Sequence, residues 1–153
     1  MRDILFRGKD SSTKLWLYGD LRQWSEKRKG ICDYKLKRTS EVISETVGQY
    51  TGLTDKNGKK IFEGDVFNFP DEVWESYYTY CGTEYNSWEI ENYGVVGYCE
   101  DCAGYDFVQY KHDENSVCAD LHENHTIQFA DFVRELEVIG NIHDNPELLG
   151  GNK

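Results

Sequence analysis

The chain has 153 residues, enough for one domain that buries roughly 68–70% of its unfolded surface. No apolar run approaches the ~20 residues of a membrane span, which argues against an integral membrane protein. Aromatic residues make up 14% of the chain and only two prolines occur, a composition that favours strands over a helical bundle. We therefore predict a single, mainly β domain over residues 1–153.

Charge is unevenly distributed along the sequence. The first 62 residues hold 14 Lys/Arg and 8 Asp/Glu, a net +6, whereas the remaining residues hold 3 and 20, a net −17. The opening residues lack the apolar segment of a signal peptide, and five cysteines, an odd number, fit reduced thiols better than a disulfide framework. These features predict a cytoplasmic protein.

The first predicted element is a hairpin. Residues 2–7 alternate apolar and polar side chains, residues 8–12 have the composition of a turn, and residues 14–18 alternate again. The basic segment 22–38 follows, with Trp24 and Tyr34 among its cations. Cations beside aromatic rings can contact phosphates and stack on bases, but the acidic remainder of the chain would repel a nucleic acid. The other interpretation is a solvated excursion that leads into a strand.

The stretch from Val47 to Phe69 has the clearest pattern. Two apolar runs flank Asp55-Lys56-Asn57-Gly58, and Asn57 and Gly58 favour the positive φ angles of a tight hairpin turn. A second reversal is predicted at Glu63-Gly64-Asp65, and a third apolar run follows it. This pattern predicts a small β-barrel-like domain with an SH3-like meander around residues 47–69.

Several short sequences resemble one known family. They are Glu45 to Leu53, Asp55 to Lys59, Ile61 to Val66, Val138 to Ile142 and Asn145 to Leu149, together with the opening Met1 to Arg7. They are similar to the YopX family, whose members are encoded by phages and prophages of Gram-positive bacteria. The resemblance implies a mostly β fold, a phage origin, a bacterial host cytoplasm and no assigned activity.

Residues 71–91 form a possible insert that is both acidic and aromatic. The segment holds six Tyr/Trp residues, six Asp/Glu residues and no Lys or Arg. Tyr and Trp dominate the energetics of protein interfaces, so the segment could be a protein-binding surface. The alternative is a pair of strands, or a covering loop, whose rings close over the core of the same chain.

The last part of the chain alternates strand and helix patterns. Strands are predicted at 93–99, 105–110, 117–121 and 136–142, and a short helix at 127–133. Asn145 has the chemistry of a helix N-cap and Pro146 suits the first helical position, which predicts a second short helix near the C-terminus.

A metal site is the best chemical candidate. Cys99-x-x-Cys102 is followed by Cys118, His122 and His125, an arrangement similar to structural zinc sites. Cys99 lies inside an apolar run, however, and the family resemblance carries no metal ligands. We therefore predict no metal and no cofactor.

Nucleophilic catalysis would require a Cys beside a His that a carboxylate orients. These residue types are present but nothing in their spacing joins them; they are Cys81, Cys118, His112, His122, His125 and His143. We predict a non-enzymatic phage or prophage accessory protein that binds proteins, self-associates as a homo-oligomer and acts on a host or phage partner. Three alternatives stay open, in this order: an acidic DNA mimic that occupies a host nucleic-acid-binding protein, nucleic-acid binding through residues 22–38, and an enzyme, such as a hydrolase, with a pocket that holds a perturbed His, Cys or carboxylate.

Overall fold

The computed structural model describes residues 3–34, 37–100, 103–111 and 129–150. The strands are β1 Phe6–Lys9, β2 Trp16–Gln23, β3 Lys29–Asp33, β4 Arg38–Val42, β5 Gly48–Thr54, β6 Lys60–Phe62, β7 Asp65–Thr79, β8 Gly82–Cys99, β9 Gly104–Lys111 and β10 Val138–Asn141. Helix α1 spans Phe129–Glu135, and 3₁₀ turns span Ser44–Thr46 and Pro146–Leu149. The prediction of a mainly β chain with one or two short helices near its C-terminus is confirmed. The predicted strand at 117–121 lies outside the described residues.

The first sheet has the antiparallel order β4-β3-β2-β1-β5-β6. The alternating patterns of the sequence set its register, so that Leu21 lies opposite Ile31 and Phe6 lies opposite Gly19. One face buries Leu17, Ile31 and Val42, with Phe6, Leu21 and Val47 packed against them. Every strand of this sheet comes from the basic part of the chain.

The β5–β6 hairpin forms where the sequence predicts it, but its turn differs in detail. Gly58 has a φ of +78°, whereas Asn57 keeps a negative φ. The carboxylate of Asp55 accepts hydrogen bonds from the amides of Asn57 and Lys59, both at 2.9 Å. The side chain of Asp55 therefore fixes the turn, and only one residue of the predicted pair adopts the left-handed conformation.

The second reversal leads to the other sheet and not to a third strand of a meander. At Gly64, with a φ of +81°, the chain crosses from β6 to β7, which pairs with β8 and β10. The crossing is held from the second sheet, because the amide of Gly64 donates to the carbonyl of Val96 at 2.8 Å. The SH3-like meander is thus limited to the β5–β6 hairpin, and within the described residues the two sheets do not close into a barrel.

The second sheet, in the order β10-β7-β8-β9, is also antiparallel. Its side chains contribute to a hydrophobic core that includes Phe67 and Phe107. Helix α1 adds Val133 to this core, and β6 of the first sheet adds Ile61. The rings of Phe67 and Phe107 meet edge to face at 5.7 Å, and the Phe129 ring of α1 packs on Phe107 at 5.2 Å.

The C-terminal 3₁₀ turn begins at Pro146, as predicted, but Asn145 does not cap it with its side chain. The Asn145 side-chain oxygen accepts instead from the amide of Asn141 at 3.4 Å, because the chain turns back directly after β10. Gly150, with a φ of +73°, ends the turn. None of the helices among the described residues combines the length and apolar character needed to cross a bilayer.

Candidate protein-binding surfaces

The uneven charge of the sequence corresponds to the division between the two sheets. Strands β1–β6 all lie before residue 63, in the part that carries +6, and strands β7–β10 all lie after it, in the part that carries −17. Between Lys60 and Lys111 the sequence has no Lys or Arg at all. The molecule therefore joins a basic sheet to an acidic one.

Opposite charges meet where the two sheets join. Ion pairs connect Arg7 to Asp65 at 2.6 Å, Lys9 to Asp144 at 2.5 Å and Lys56 to Glu137 at 3.4 Å. In each pair the cation comes from the basic part of the chain and the carboxylate from the acidic part. The two parts therefore complement each other electrostatically within one molecule.

The Arg7–Asp65 pair is the most buried of these contacts. Arg7 is 5% exposed and Asp65 is 1% exposed. Arg7 also donates to the Glu63 carbonyl at 2.9 Å, and Asp65 accepts from the Phe62 amide at 2.8 Å. Burial raises the pKa of Asp65, and the charge of Arg7 offsets that shift only in part. The guanidinium lies 4.7 Å above the Trp16 ring, which adds a cation–π contact.

A second cluster surrounds Asp144 in the loop after β10. Its carboxylate accepts from Trp16 Nε1 at 2.7 Å and from Asn141 Nδ2 at 2.7 Å, and it pairs with Lys9. Burial opposes the charged form, but the hydrogen bonds from Asn141, Lys9 and Trp16 outweigh burial and lower the pKa of Asp144 to about 2. The ring of His143 lies 6.1 Å from that of Trp16, and burial lowers the pKa of His143.

An open cleft of about 740 Å³ lies on the first sheet beside this junction. Its apolar lining includes Leu15, Tyr18 and Tyr34, whose exposed fractions are 67%, 44% and 58%. Lys59 and Lys60 line the cleft as well, and the Lys60 ammonium lies 4.6 Å above the ring of Tyr50. The cleft thus combines exposed apolar side chains with positive charge.

The acidic-aromatic segment forms the outer part of the β7–β8 hairpin. Beyond Phe69 and Asn92 the two strands continue for ten more residue pairs, from Pro70 opposite Glu91 to Thr79 opposite Gly82. Over these pairs no third strand joins them among the described residues. We refer to residues 70–91 as the ribbon. Tyr80 and Cys81 form its turn, and both are exposed.

Most of the candidate zinc ligands fall outside the described part of the chain. Cys99 is the last residue of β8, whereas Cys102, Cys118, His122 and His125 are not described. Within the described residues no three His, Cys, Asp or Glu side chains are grouped as metal ligands would be. The zinc candidate is therefore untested.

The candidate nucleophile and base residues lie on different elements. Cys81 is at the turn of the ribbon, and His143 packs against Trp16 in the loop after β10. His112, Cys118, His122 and His125 lie outside the described residues. Among the described residues, therefore, the fold does not bring a candidate Cys and a candidate His together, which agrees with the lack of a catalytic spacing in the sequence.

The basic segment 22–38 spans the end of β2, the following turn, β3 and the start of β4. Arg28 makes a two-pronged contact to Glu41 at 3.0 and 3.1 Å, and its guanidinium lies 5.6 Å from the Trp24 ring. One cation and one ring of the proposed nucleic-acid surface are therefore already in contact with groups of the same sheet. Residues 35 and 36 are not described.

The family model described as "YopX protein" matches residues 5–150. The chain belongs to the YopX family. This YopX-family protein is also similar to the crystal structure of protein EF1440 from Enterococcus faecalis, with 20% identity and a TM-score of 0.43. The similarity covers 97% of this chain and 99% of that chain. No curated protein matches the sequence.

Sequence reasoning did not single out Arg7, Lys9, Asp65 or Asp144 as a group in this YopX-family protein. The alternating pattern of the first strand places Arg7 on the face opposite Ile4 and Phe6, where a solvated side chain is expected. The pattern therefore gave no signal that Arg7 would be buried. The sequence also could not identify Asp65 as the partner of Arg7, because 58 positions separate the two residues.

Proposed function

We propose that this YopX-family protein is a non-enzymatic phage or prophage accessory protein that acts by protein binding in the bacterial cytoplasm and self-associates as a homo-oligomer. The observation that supports this proposal is the division of charge between the two sheets. A basic surface on one copy can face an acidic surface on the next. Such a head-to-tail contact can repeat from copy to copy, and a ring closes it where the rotation between copies allows.

The ion pairs inside the molecule support the same proposal. The basic and acidic parts already meet at Arg7–Asp65, Lys9–Asp144 and Lys56–Glu137. Contacts between copies would repeat this complementarity with the charges that remain on the outer surfaces. Association would then be strongest at low ionic strength, where charges interact over longer distances.

Light scattering at about 0.1 M and about 1 M salt tests self-association, since the Debye length falls from ~10 Å to ~3 Å over this range. We expect a mass of at least two chains at low salt and a smaller mass at high salt. A strict monomer at the low salt concentration, at micromolar protein, would contradict the proposal.

A second candidate function is favoured by the ribbon. Its six carboxylates, with no Lys or Arg between them, place a dense negative charge on one projecting element. As an acidic mimic of DNA it would occupy a host nucleic-acid-binding protein. Binding of this chain to a purified host DNA-binding protein, with release of the chain when DNA is added, would support this function. Binding that added DNA does not change would contradict it.

A further inference from the structure

We infer that the cleft on the first sheet is the docking site for the ribbon of a second copy of this chain. The inference rests on the proposed self-association and names the two surfaces that would form its contact. It commits to a heterologous interface in which residues 70–91 of one copy lie against the cleft side chains of another, Leu15, Tyr18 and Tyr34 among them.

The ribbon has the properties of an element that needs a partner. Ten strand pairs at a rise of about 3.4 Å extend it by roughly 30 Å beyond the four-stranded part of its sheet. A two-stranded hairpin is only marginally stable in water, so an extension of this length gains from a surface to pack against. Its sequence supplies six Tyr and Trp residues, the types that contribute most at interfaces.

The ribbon tip does not reach the cleft of its own molecule. Tyr80, at the turn, has an exposed fraction of 109%, so its ring is open to solvent and is not seated in the cleft. The cleft also remains open, with Leu15 and Tyr34 both more than half exposed. The exposed ring of Tyr80 on one copy can therefore pack against the open cleft of another copy.

The charges of the cleft and of the ribbon are opposite in sign, which favours the ribbon as the partner that binds in the cleft. The described lining carries Arg7, Lys59 and Lys60 against the carboxylate of Asp33. Arg7 is neutralised by Asp65, so the two lysines supply the positive charge that a partner meets. The ribbon brings six carboxylates and no cation, and a strand with this composition is attracted to the cleft.

Photocrosslinking tests the contact in the full-length chain. p-Benzoylphenylalanine replaces Tyr80 in one preparation and Tyr98, which is 52% exposed on β8, in a control preparation. Each is mixed with ¹⁵N-labelled wild-type chain before irradiation. We expect crosslinks between copies from position 80 to the peptide that contains Leu15 and Tyr18, or to the segment that contains Tyr34, and none of these from position 98.

Surface variants provide a second measurement. Tyr18→Ala and Tyr34→Ala each remove an exposed cleft ring, and Lys60→Glu reverses a cleft charge. We expect each to weaken self-association at least tenfold, whereas Lys27→Glu, an equal charge change on the exposed β2–β3 turn, has a smaller effect. The thermal midpoint of each variant checks that it remains folded.

The outcomes separate the two proposals. If wild-type chains associate but position 80 crosslinks elsewhere, or the cleft variants associate like the wild type, the ribbon–cleft contact is wrong and self-association stands. If the wild-type chain is a monomer at low salt, both proposals fail.

Discussion

Arg7 and Asp65 form an ion pair at 2.6 Å that is almost completely buried and that joins the basic sheet to the acidic one. Removing one partner leaves an uncompensated buried charge, which costs about 3–5 kcal/mol. We therefore expect Arg7→Met and Asp65→Asn each to lower the free energy of unfolding by roughly that amount. Urea denaturation measures the loss.

The exposed pair Arg28–Glu41 supplies the control for this prediction. Both of its side chains are in contact with solvent, so Arg28→Met should leave the urea midpoint almost unchanged. The double variant Arg7→Met with Asp65→Asn should cost less than the two single changes added together, because it leaves no charge unpaired. Equal losses for Arg7→Met and Arg28→Met would show that burial gives the junction no special importance.

Asp55 links the β5–β6 turn to the second sheet. One carboxylate oxygen accepts from the amides of Asn57 and Lys59, and the other accepts from the Val138 amide at 3.2 Å. Burial opposes ionisation, but these hydrogen bonds outweigh it and lower the pKa of Asp55. Each buried donor left unsatisfied costs about 1–3 kcal/mol, so Asp55→Ala should lower the free energy of unfolding by about 2–4 kcal/mol.

Asp10 is a matched control for Asp55. It accepts from the amides of Ser12 and Thr13 at 2.9 and 2.8 Å, but both of these lie within its own turn. Asp10→Ala should therefore be less destabilising than Asp55→Ala. Hydrogen exchange should also show faster exchange at the Val138 amide in the Asp55 variant alone, and unchanged protection there would contradict the proposed link.

His143 should make stability depend on pH. Burial lowers its pKa, and the nearby charges of Arg7 and Lys9 lower it further. The unfolded chain binds a proton near the ordinary pKa of about 6.5, whereas the folded chain binds it only at lower pH. Acidification through this interval therefore favours unfolding, and the stabilising contribution is fully present above it.

The variant His143→Gln tests this contribution. Thermal midpoints measured between about pH 7.5 and pH 5 should fall less steeply for the variant than for the wild type. Asp144 titrates in a separate window, since its stabilising contribution is lost as the pH falls from about 4 towards its folded pKa of about 2. Parallel curves for wild type and variant above pH 5 would contradict the assignment to His143.

A substitution at Gly58 should be destabilising because of its backbone conformation and not because the new side chain would clash with a neighbour. Its φ is +78°, and a Cβ there would meet nothing within 4 Å. Gly58→Ala should therefore cost about 1–2 kcal/mol from left-handed strain alone, and Gly58→Asn should cost less. At Gly48 a Cβ would lie 2.6 Å from the Glu63 carbonyl oxygen, so Gly48→Ala should be worse. The urea midpoints of the three variants give the order.

Local chemistry explains which parts of the fold the sequence predicts. The β5–β6 hairpin follows from apolar runs around a turn with Gly58 at its left-handed position, and all of this information lies within a few residues. The destination of the chain after Gly64 depends on Val96, whose carbonyl accepts from the Gly64 amide, and on Arg7, which pairs with Asp65. Such distant partners leave no periodic signal, and a meander was the simplest continuation.

The dependence on distant partners also explains why the sequence indicates residues 71–91 as a candidate surface but does not indicate the cleft. Residues 71–91 are recognisable as an unusual segment from composition. The structure shows that the segment is a pair of strands, whereas the closure of its rings over the core stays a prediction. The cleft is not recognisable in this way, because it combines residues of β2 with Tyr34, Lys59 and Lys60. Only the order of the strands brings these together.

A charge-swap experiment tests the head-to-tail contact most directly. One variant carries Lys59→Glu and Lys60→Glu in the cleft. The other changes the net charge of the ribbon from −6 to +2 with four substitutions, Glu72→Lys, Glu75→Lys, Glu84→Lys and Glu89→Lys. Each alone brings like charges together between copies, whereas a mixture pairs an acidic ribbon with a basic cleft, and a basic ribbon with an acidic cleft. Sedimentation velocity should show two monomeric variants and an associated mixture. Variants that associate like the wild type, or a mixture that stays monomeric while the wild type associates, would contradict the account.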